Sequence, residues 1–290
     1  MSSAAADSRS CAPRVTVVVA SRNRREELLR NLRRHDVPVI LVDNGSTDGT
    51  VDAVRAELPH VRVVPLRRNH GAPARNVGAG LAGTPYVAFA DDDSWWAPGA
   101  LSLAADLLDR YPLVGLLAGH ILVGEEGRPD PVCAQMARSP LTARDELPGV
   151  PVLGFVACGS VVRRRAFLEA GGFDPVVFFA GEEERVSIDL ASAGWEQCYV
   201  PELVVRHLPS PSRSGAGARQ RLITRNRVLT AVMRRPWRTV LRVSGQELRS
   251  GWWPLCGVLT ALPRLPGAVR RRCPAGPQVE ARLRLLERTA

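Results

Sequence analysis

Val15-Thr16-Val17-Val18-Val19-Ala20, a charged segment from Arg24 to His35, and then Pro38-Val39-Ile40-Leu41-Val42 decide the fold. The two short β-branched runs show no polar alternation, which is how a strand reads when both of its faces are buried. Between them Leu28, Leu29 and Leu32 recur at helical spacing among charged residues, so an amphipathic helix is expected there. Strand, helix and strand in this order form the crossover unit of a parallel sheet.

The same alternation continues along the chain. Asp43-Asn44-Gly45-Ser46-Thr47-Asp48-Gly49 reads as a tight turn, with Asp48 capping a helix from Thr50 to Leu58 that leads to a strand at Val61 to Pro65. A helix near Ala72 to Leu81, a strand at Tyr86 to Ala90 and a helix from Ala100 to Tyr111 follow. The pattern predicts an α/β fold with an open, mainly parallel, twisted sheet flanked by helices. Gly124 to Pro148, rich in Pro, Gly and charge, is expected to be an excursion before Val150 to Val162 resumes apolar structure. Cys198 to Val205 is the last clear strand, and Pro209 to Ala218 reads as a linker. The expected division is a disordered N-terminus at residues 1–12, a sheet domain at 13–211 and a basic helical C-terminal extension at 212–290.

With 290 residues and 45% hydrophobic content the chain can bury one full α/β core plus an appendage, or two small domains. The net charge of +10 attracts phosphates, anionic lipid or nucleic acid. The basic residues are not interleaved with a stacking platform and no reader motif is present, so nucleic acid is not an expected partner. All 39 basic residues are arginine, which suits bidentate phosphate contacts and equally follows from GC-rich codons. Cys11, Cys133, Cys158, Cys198, Cys256 and Cys273 show no metal-finger or redox spacing and read as buried free thiols in a reducing compartment.

Met1 to Ala12 lacks the apolar core of a secretory signal, so a cytoplasmic body is expected. Trp252 to Leu265 is broken by Pro254, Pro263 and Arg264 and is not read as a spanning helix. Arg219, Arg221, Arg225 and Arg227, followed by Trp237, Trp252 and Trp253, are the mixture found in helices lying on anionic membranes. Two readings stand: peripheral attachment to the inner face of the plasma membrane, or an appendage packed on the sheet domain with a solvated basic face.

Ligands of such sheets bind beyond the carboxyl ends of the strands, where Arg22, Asp43, Asn69 and Asp91 fall. Asp91, Asp92 and Asp93 crowd three carboxylates at one strand end, a cost that a divalent cation such as Mg²⁺ or Mn²⁺ relieves, although a solvated turn reads the same way. Asp43 and Asn44 suit the polar edge of a base or a ribose, or simply form an Asx turn. Asn69 through Gly78 offers glycines for close approach and Arg75 for a diphosphate. In Gly181-Glu182-Glu183-Glu184 one glutamate can serve as a general base, while acidic residues also favour any helix N-terminus. His207 follows a strand and offers a nitrogen ligand, although a lone histidine in that place is more often a satisfied polar residue.

Taken in order, these features resemble the family 2 glycosyltransferases, inverting enzymes of the GT-A fold. The resemblance runs from about Arg14 to Pro209. It is carried by Ala20-Ser21-Arg22-Asn23, by Val42 to Thr50, by Asn69 to Gly78, by Phe89 to Asp93, and by Ala170-Gly171-Gly172-Phe173-Asp174 followed by Gly181 to Trp195. It implies a GT-A sheet with a C-terminal helical appendage and a nucleotide-sugar donor such as a UDP- or dTDP-sugar. The implied acceptor is a hydroxyl on a glycan, a lipid-linked molecule or a small molecule.

The resemblance further implies that Ser21, Arg22, Asp43, Asn44, Asn69, Arg75, Asp91 and Asp92 bind the donor. Asp91, Asp93 and His207 are implied to hold the divalent metal. The base maps onto Glu182 and Glu183, of which Glu183 is favoured. Related sequences commonly carry an aspartate at the position of Arg185, so Arg185 is expected to alter the acceptor side. A catalytically silent nucleotide-sugar binder and a nucleotidyltransferase are the rival readings.

Overall fold

The structure, a computed structural model, describes residues 12–143, 145–209 and 215–289. The N-terminal disorder expected at residues 1–12 lies, but for Ala12, outside the described residues, as does the expected boundary between 211 and 212. Strands β1 (Val15–Ser21), β2 (Val39–Asp43), β3 (Arg62–Pro65) and β4 (Tyr86–Ala90) pair in parallel in the order β3-β2-β1-β4. Helices α1 (Arg25–Asn31), α2 (Thr50–Glu57) and α3 (Ala74–Leu81) make the crossovers that parallel pairing requires. Every residue of β2 and β4 is buried, as their unbroken apolar runs require. Gly78 lets α3 lie close on the sheet, since a Cβ there would meet a Val18 methyl at 2.4 Å.

The second half of the sheet is mixed. It comprises β5 (Ser94–Trp96), helix α4 (Ala100–Arg110), β6 (Val114–Val123), β7 (Arg128–Pro129), α5 (Pro131–Ala137), β8 (Val150–Pro151), β9 (Ser160–Arg163), α6 (Arg164–Glu169), α7 (Glu183–Ser192) and β10 (Glu196–His207). The order continues β4-β9-β6-β10-β5, with β9 antiparallel to β4 and β6, β10 parallel to β6, and β5 antiparallel to β10. The GT-A sheet flanked by helices is present, and its parallel portion ends at β4 apart from the β6–β10 pair.

Sequence reading passed over β6, because Gly115 and Gly119 weaken its strand signal. Both glycines are packing requirements: a Cβ on Gly119 would meet Leu203 O at 2.4 Å, and one on Gly115 the Trp195 side chain at 2.8 Å. The register of β10 against β6 shifts between Val200 and Val204, and the strand then runs on to His207, beyond its expected end.

Helices α8 (Ala216–Arg234), α9 (Trp237–Arg249), α10 (Trp252–Ala261), α11 (Leu265–Arg270) and α12 (Pro277–Thr289) follow. Val228, Leu229, Val232 and Met233 of α8 pack with Val177, Val240 and Ala268, while Val279 and Leu283 of α12 pack with Ile188 of α7. The extension therefore packs on the sheet domain, and many of its arginines are turned inward. Arg234 pairs with Asp189, Arg282 with Glu196 at 3.0 Å, and Arg235 with Glu280 at 2.6 Å. Trp252 and Trp253 remain exposed at the start of α10. No helix among the described residues is long and apolar enough to cross a membrane. Cys133, Cys158 and Cys198 are buried free thiols, as expected, whereas Cys273 is exposed and Cys11 lies outside the described residues.

Candidate active site

The carboxyl ends of β1, β2 and β4 open on one cleft of about 470 Å³. Ser21, Arg22, Asn44, Asn69, Arg75 and Asp91 to Asp93 line it. A wall from the later chain completes it, made of Phe178 and Phe179 with Arg219 and Leu222 of α8. Sequence reading missed the two phenylalanines and Leu222, and left Arg219 either on a membrane-bound helix or on the solvated face of a packed appendage. The only local sign is conformational: Phe178 and Ala180 have φ of 70° and 68°, where non-glycine residues rarely sit.

The three aspartates are separated in role by their neighbours. Asp92 accepts from Ser21 Oγ at 2.6 Å, and its carbonyl accepts from Asn31 Nδ2 at 2.8 Å. Burial, with the charges of Asp91 and Asp93 added, pushes its carboxyl up to about 6 against the opposing Ser21 hydrogen bond. Asp93 Oδ1 lies 3.2 Å from His207 Nε2, because the extended β10 pairs His207 with Ser94 of β5. Leu208 N donates to Asp93 O at 2.8 Å and fixes that meeting.

Asp91 faces the other way. Arg75, on the first turn of α3 and only 6% exposed, donates from Nη2 to Asp91 Oδ1 at 2.5 Å. Its Nη1 lies 3.9 Å from Glu182 Oε1, and its guanidinium sits 5.7 Å from the centre of the Phe173 ring. Phe173 is held edge-on by Phe89 and Phe167 at 5.7 and 5.5 Å, so the aromatic core beneath the strand ends sets the position of Arg75.

Glu182 is buried with Oε2 unpartnered among the described residues, and burial together with the charge of Glu183 raises its carboxyl to about 8 in spite of Arg75. Glu183 opens α7, is partly exposed and accepts from Ala157 N at 3.4 Å. Burial raises its pKa as well, and backbone N–H groups and Arg75 oppose the shift. Arg75 thus joins Asp91 to the glutamate pair.

Other expected residues serve partly as supports. Asn44 Nδ2 donates to Gly71 O at 3.0 Å and its Oδ1 accepts from His70 N at 2.7 Å, so both ends of this amide staple the 69–71 loop at the cleft wall. Asn69 Oδ1 accepts from Gly71 N at 2.8 Å in an Asx turn. Arg22 Nε donates to Gly45 O at 3.3 Å. Asp43 is 2% exposed behind the cleft; Oδ2 accepts from Ser46 N, and Oδ1 is buried with no partner among the described residues. Asp48 accepts from Thr50 N and Oγ1 and so closes the N-terminus of α2 from one residue before its cap.

Arg185 corrects the expectation placed on it. It is 7% exposed and spent on structural partners, donating to Gly172 O at 2.9 Å and pairing with Asp189 at 2.9 Å and Asp174 at 3.6 Å. Arg234 of α8 completes this buried network on Asp189, so Arg185 ties α7 to the extension.

The family model described as glycosyl transferase family 2 matches residues 16–171, more than half of the chain. The chain belongs to glycosyl transferase family 2. Within this family it is 34% identical over 205 residues to an N-acetylglucosaminyl-diphospho-decaprenol L-rhamnosyltransferase of Mycobacterium tuberculosis, covering 59% of this chain and 66% of that protein. It is 31% identical over 275 residues to a pre-mycofactocin glycosyltransferase of the same organism, covering 88% of this chain and 55% of that one. The chain thus spans less than two thirds of either relative.

Among solved glycosyltransferases, a mannosyltransferase from Pyrobaculum calidifontis in complex with GDP-Man and Mn2+ superposes with a TM-score of 0.57 at 21% identity, over 96% of this chain and 86% of that one. S. aureus TarS 1-349 in complex with UDP-GlcNAc gives 0.57 at 20% identity, over 92% and 83%. These two likenesses establish the GT-A fold.

Proposed function

We propose that this family 2 member is an inverting glycosyltransferase that moves a sugar from a nucleotide sugar to the hydroxyl of a lipid-linked acceptor. The observation that carries the reading is the position of Arg75, in contact with Asp91 and near Glu182 across one cleft. Donor-side and base-side carboxylates are thereby set at the two ends of one buried guanidinium. The diphospho-decaprenol acceptor named for the mycobacterial relative supports the acceptor class.

Asp43, with a buried and unpartnered Oδ1, suits an N–H of the donor base, and Ser21, Arg22 and Asp92 suit its ribose and phosphates. Asp93 and His207 would hold Mg²⁺ or Mn²⁺; among the described residues no third acidic, His or Cys side chain is gathered with them, and Asp91 is engaged by Arg75 instead. A small set of protein ligands fits an ion whose other positions go to phosphate oxygens and water. Such an ion supplies positive charge beside the leaving diphosphate.

Glu183, partly exposed with one oxygen held by Ala157 N, takes the proton of the acceptor hydroxyl as that oxygen attacks the anomeric carbon. Glu182 is too buried to reach the acceptor, and burial together with the Glu183 charge lets it keep its proton at neutral pH, which leaves Glu183 the ionised member of the pair. Attack opposite the leaving group inverts the anomeric centre. The test is the anomeric configuration of the product by NMR: inversion is expected, and retention would overturn the base assignment.

A further inference from the structure

The buried arginines of the extension are mostly neutralised: Arg234 pairs with Asp189 and Arg235 with Glu280 and Glu287, while the half-exposed Arg227 pairs with Glu247. Arg219, Arg221, Arg225 and Arg264 differ. Among the described residues no carboxylate pairs with any of them.

Arg225 is 8% exposed, and its guanidinium donates only to neutral oxygens, Asn226 Oδ1 at 2.9 Å and Val177 O at 3.2 Å. The charged neighbours that act on it are Arg264 and Arg221, which together with burial lower its pKa to about 10. Arg221 lies one turn before Arg225 on α8 and carries a buried, unpartnered Nε. Arg264 donates to Val176 O at 2.7 Å and stands 5.8 Å from the Phe178 ring, whose other surroundings include the cleft. Arg219, one turn before Leu222, lines the cleft itself.

A buried guanidinium flanked by two others, with no acid near it, is a costly arrangement in a chain that neutralises its other buried arginines. A phosphate or diphosphate offsets that cost, because guanidinium forks match its oxygens. The exposed apolar side chains of Trp253 and Leu262 stand close by: the Trp253 ring covers Gly217 of α8, and Leu262 is two residues before Arg264. We propose that Arg221, Arg225 and Arg264 form a second phosphate site, at the α8 wall of the cleft, which binds the phosphate or diphosphate of an amphiphilic acceptor. Its assignment to the acceptor rests on the glycosyltransferase reading, whereas the binding itself does not.

The test uses the full chain and the change in tryptophan fluorescence on titration with farnesyl diphosphate, farnesol and inorganic pyrophosphate. Arg221→Gln/Arg264→Gln is compared with Arg227→Gln, which removes a paired arginine from the same helix, and thermal melts confirm folding of each. Farnesyl diphosphate and pyrophosphate are expected to bind the parent chain and to lose roughly tenfold or more in affinity in the double variant. Farnesol is expected to bind neither, and Arg227→Gln to bind as the parent does.

Equal affinity in the parent and the double variant would overturn the proposal. So would a loss seen only with phosphatidylglycerol vesicles, which would make the cluster a headgroup contact. A parallel loss of nucleoside diphosphate binding would return these arginines to the donor site and overturn it too. Diphosphate binding that needs Arg221 and Arg264 in a chain that turns over no nucleotide sugar would support the site and refute the glycosyltransferase reading.

Discussion

Arg75 donates from Nη2 to Asp91 Oδ1 at 2.5 Å from a side chain that is 93% buried. The same guanidinium faces the buried Glu182, so it bridges two acidic side chains drawn from segments far apart in sequence. Arg75→Met is expected to lower unfolding free energy by about 1–3 kcal/mol, since Asp91, 36% exposed, loses its charged partner but stays partly solvated. Urea melts of the parent and the variant measure it, and a loss below about 0.5 kcal/mol would show that the pair carries no weight.

Glu183 must be ionised to accept a proton, and burial holds its pKa above the ordinary carboxylate range. Turnover is therefore expected to fall on acidification well before pH reaches the usual glutamate value. Glu183→Gln should lower kcat by about 100-fold or more and abolish that limb. Glu182→Gln mimics the protonated carboxyl that a pKa of about 8 gives Glu182 at neutral pH, so activity and the acid limb should both be retained. A kcat loss in Glu182→Gln as large as that in Glu183→Gln would contradict this division of roles.

The first half of the sheet was legible because β1, β2 and β4 are buried on both faces and announce themselves as apolar runs. The strand ends, and with them Ser21, Asp43 and Asp91 to Asp93, came with that reading. β6 was not legible, since its two glycines answer to Leu203 and Trp195, contacts that local sequence does not carry. Arg185 misled for the same reason: its partners Asp174, Asp189 and Arg234 assemble only when α7 meets α8. The Phe178–Phe179 wall depends on backbone strain at φ 70°, for which the residue types give no signal.

His35 stands beside the first strand pair with Nδ1 buried and unpartnered among the described residues, and burial lowers its pKa to about 4 although Asp36 opposes the shift. The unfolded chain then binds the proton more readily between about pH 6.5 and 4. Stability is expected to be full above 6.5 and to decline as pH falls through that window, by an amount on the order of 1–3 kcal/mol. His35→Gln should flatten this slope in thermal melts taken at pH 7 and pH 4.5, and an unchanged slope would remove His35 as its source.

Asp189 sits between Arg185 and Arg234, so Asp189→Ala leaves two guanidinium groups buried against each other. A loss of about 3–5 kcal/mol is expected from equilibrium unfolding. Restoration by the added change Arg234→Met would identify charge, rather than side-chain volume, as the cause.

The most direct measurement is a panel of nucleotide sugars with Mn²⁺, scored for the phosphate species released, in the parent chain and in Asp93→Ala. Glycosyl transfer requires that one donor yield a nucleoside diphosphate, with release falling by about 100-fold in Asp93→Ala. Release of inorganic pyrophosphate instead, or nucleoside diphosphate release undiminished in Asp93→Ala, would contradict the assignment of this cleft to sugar transfer.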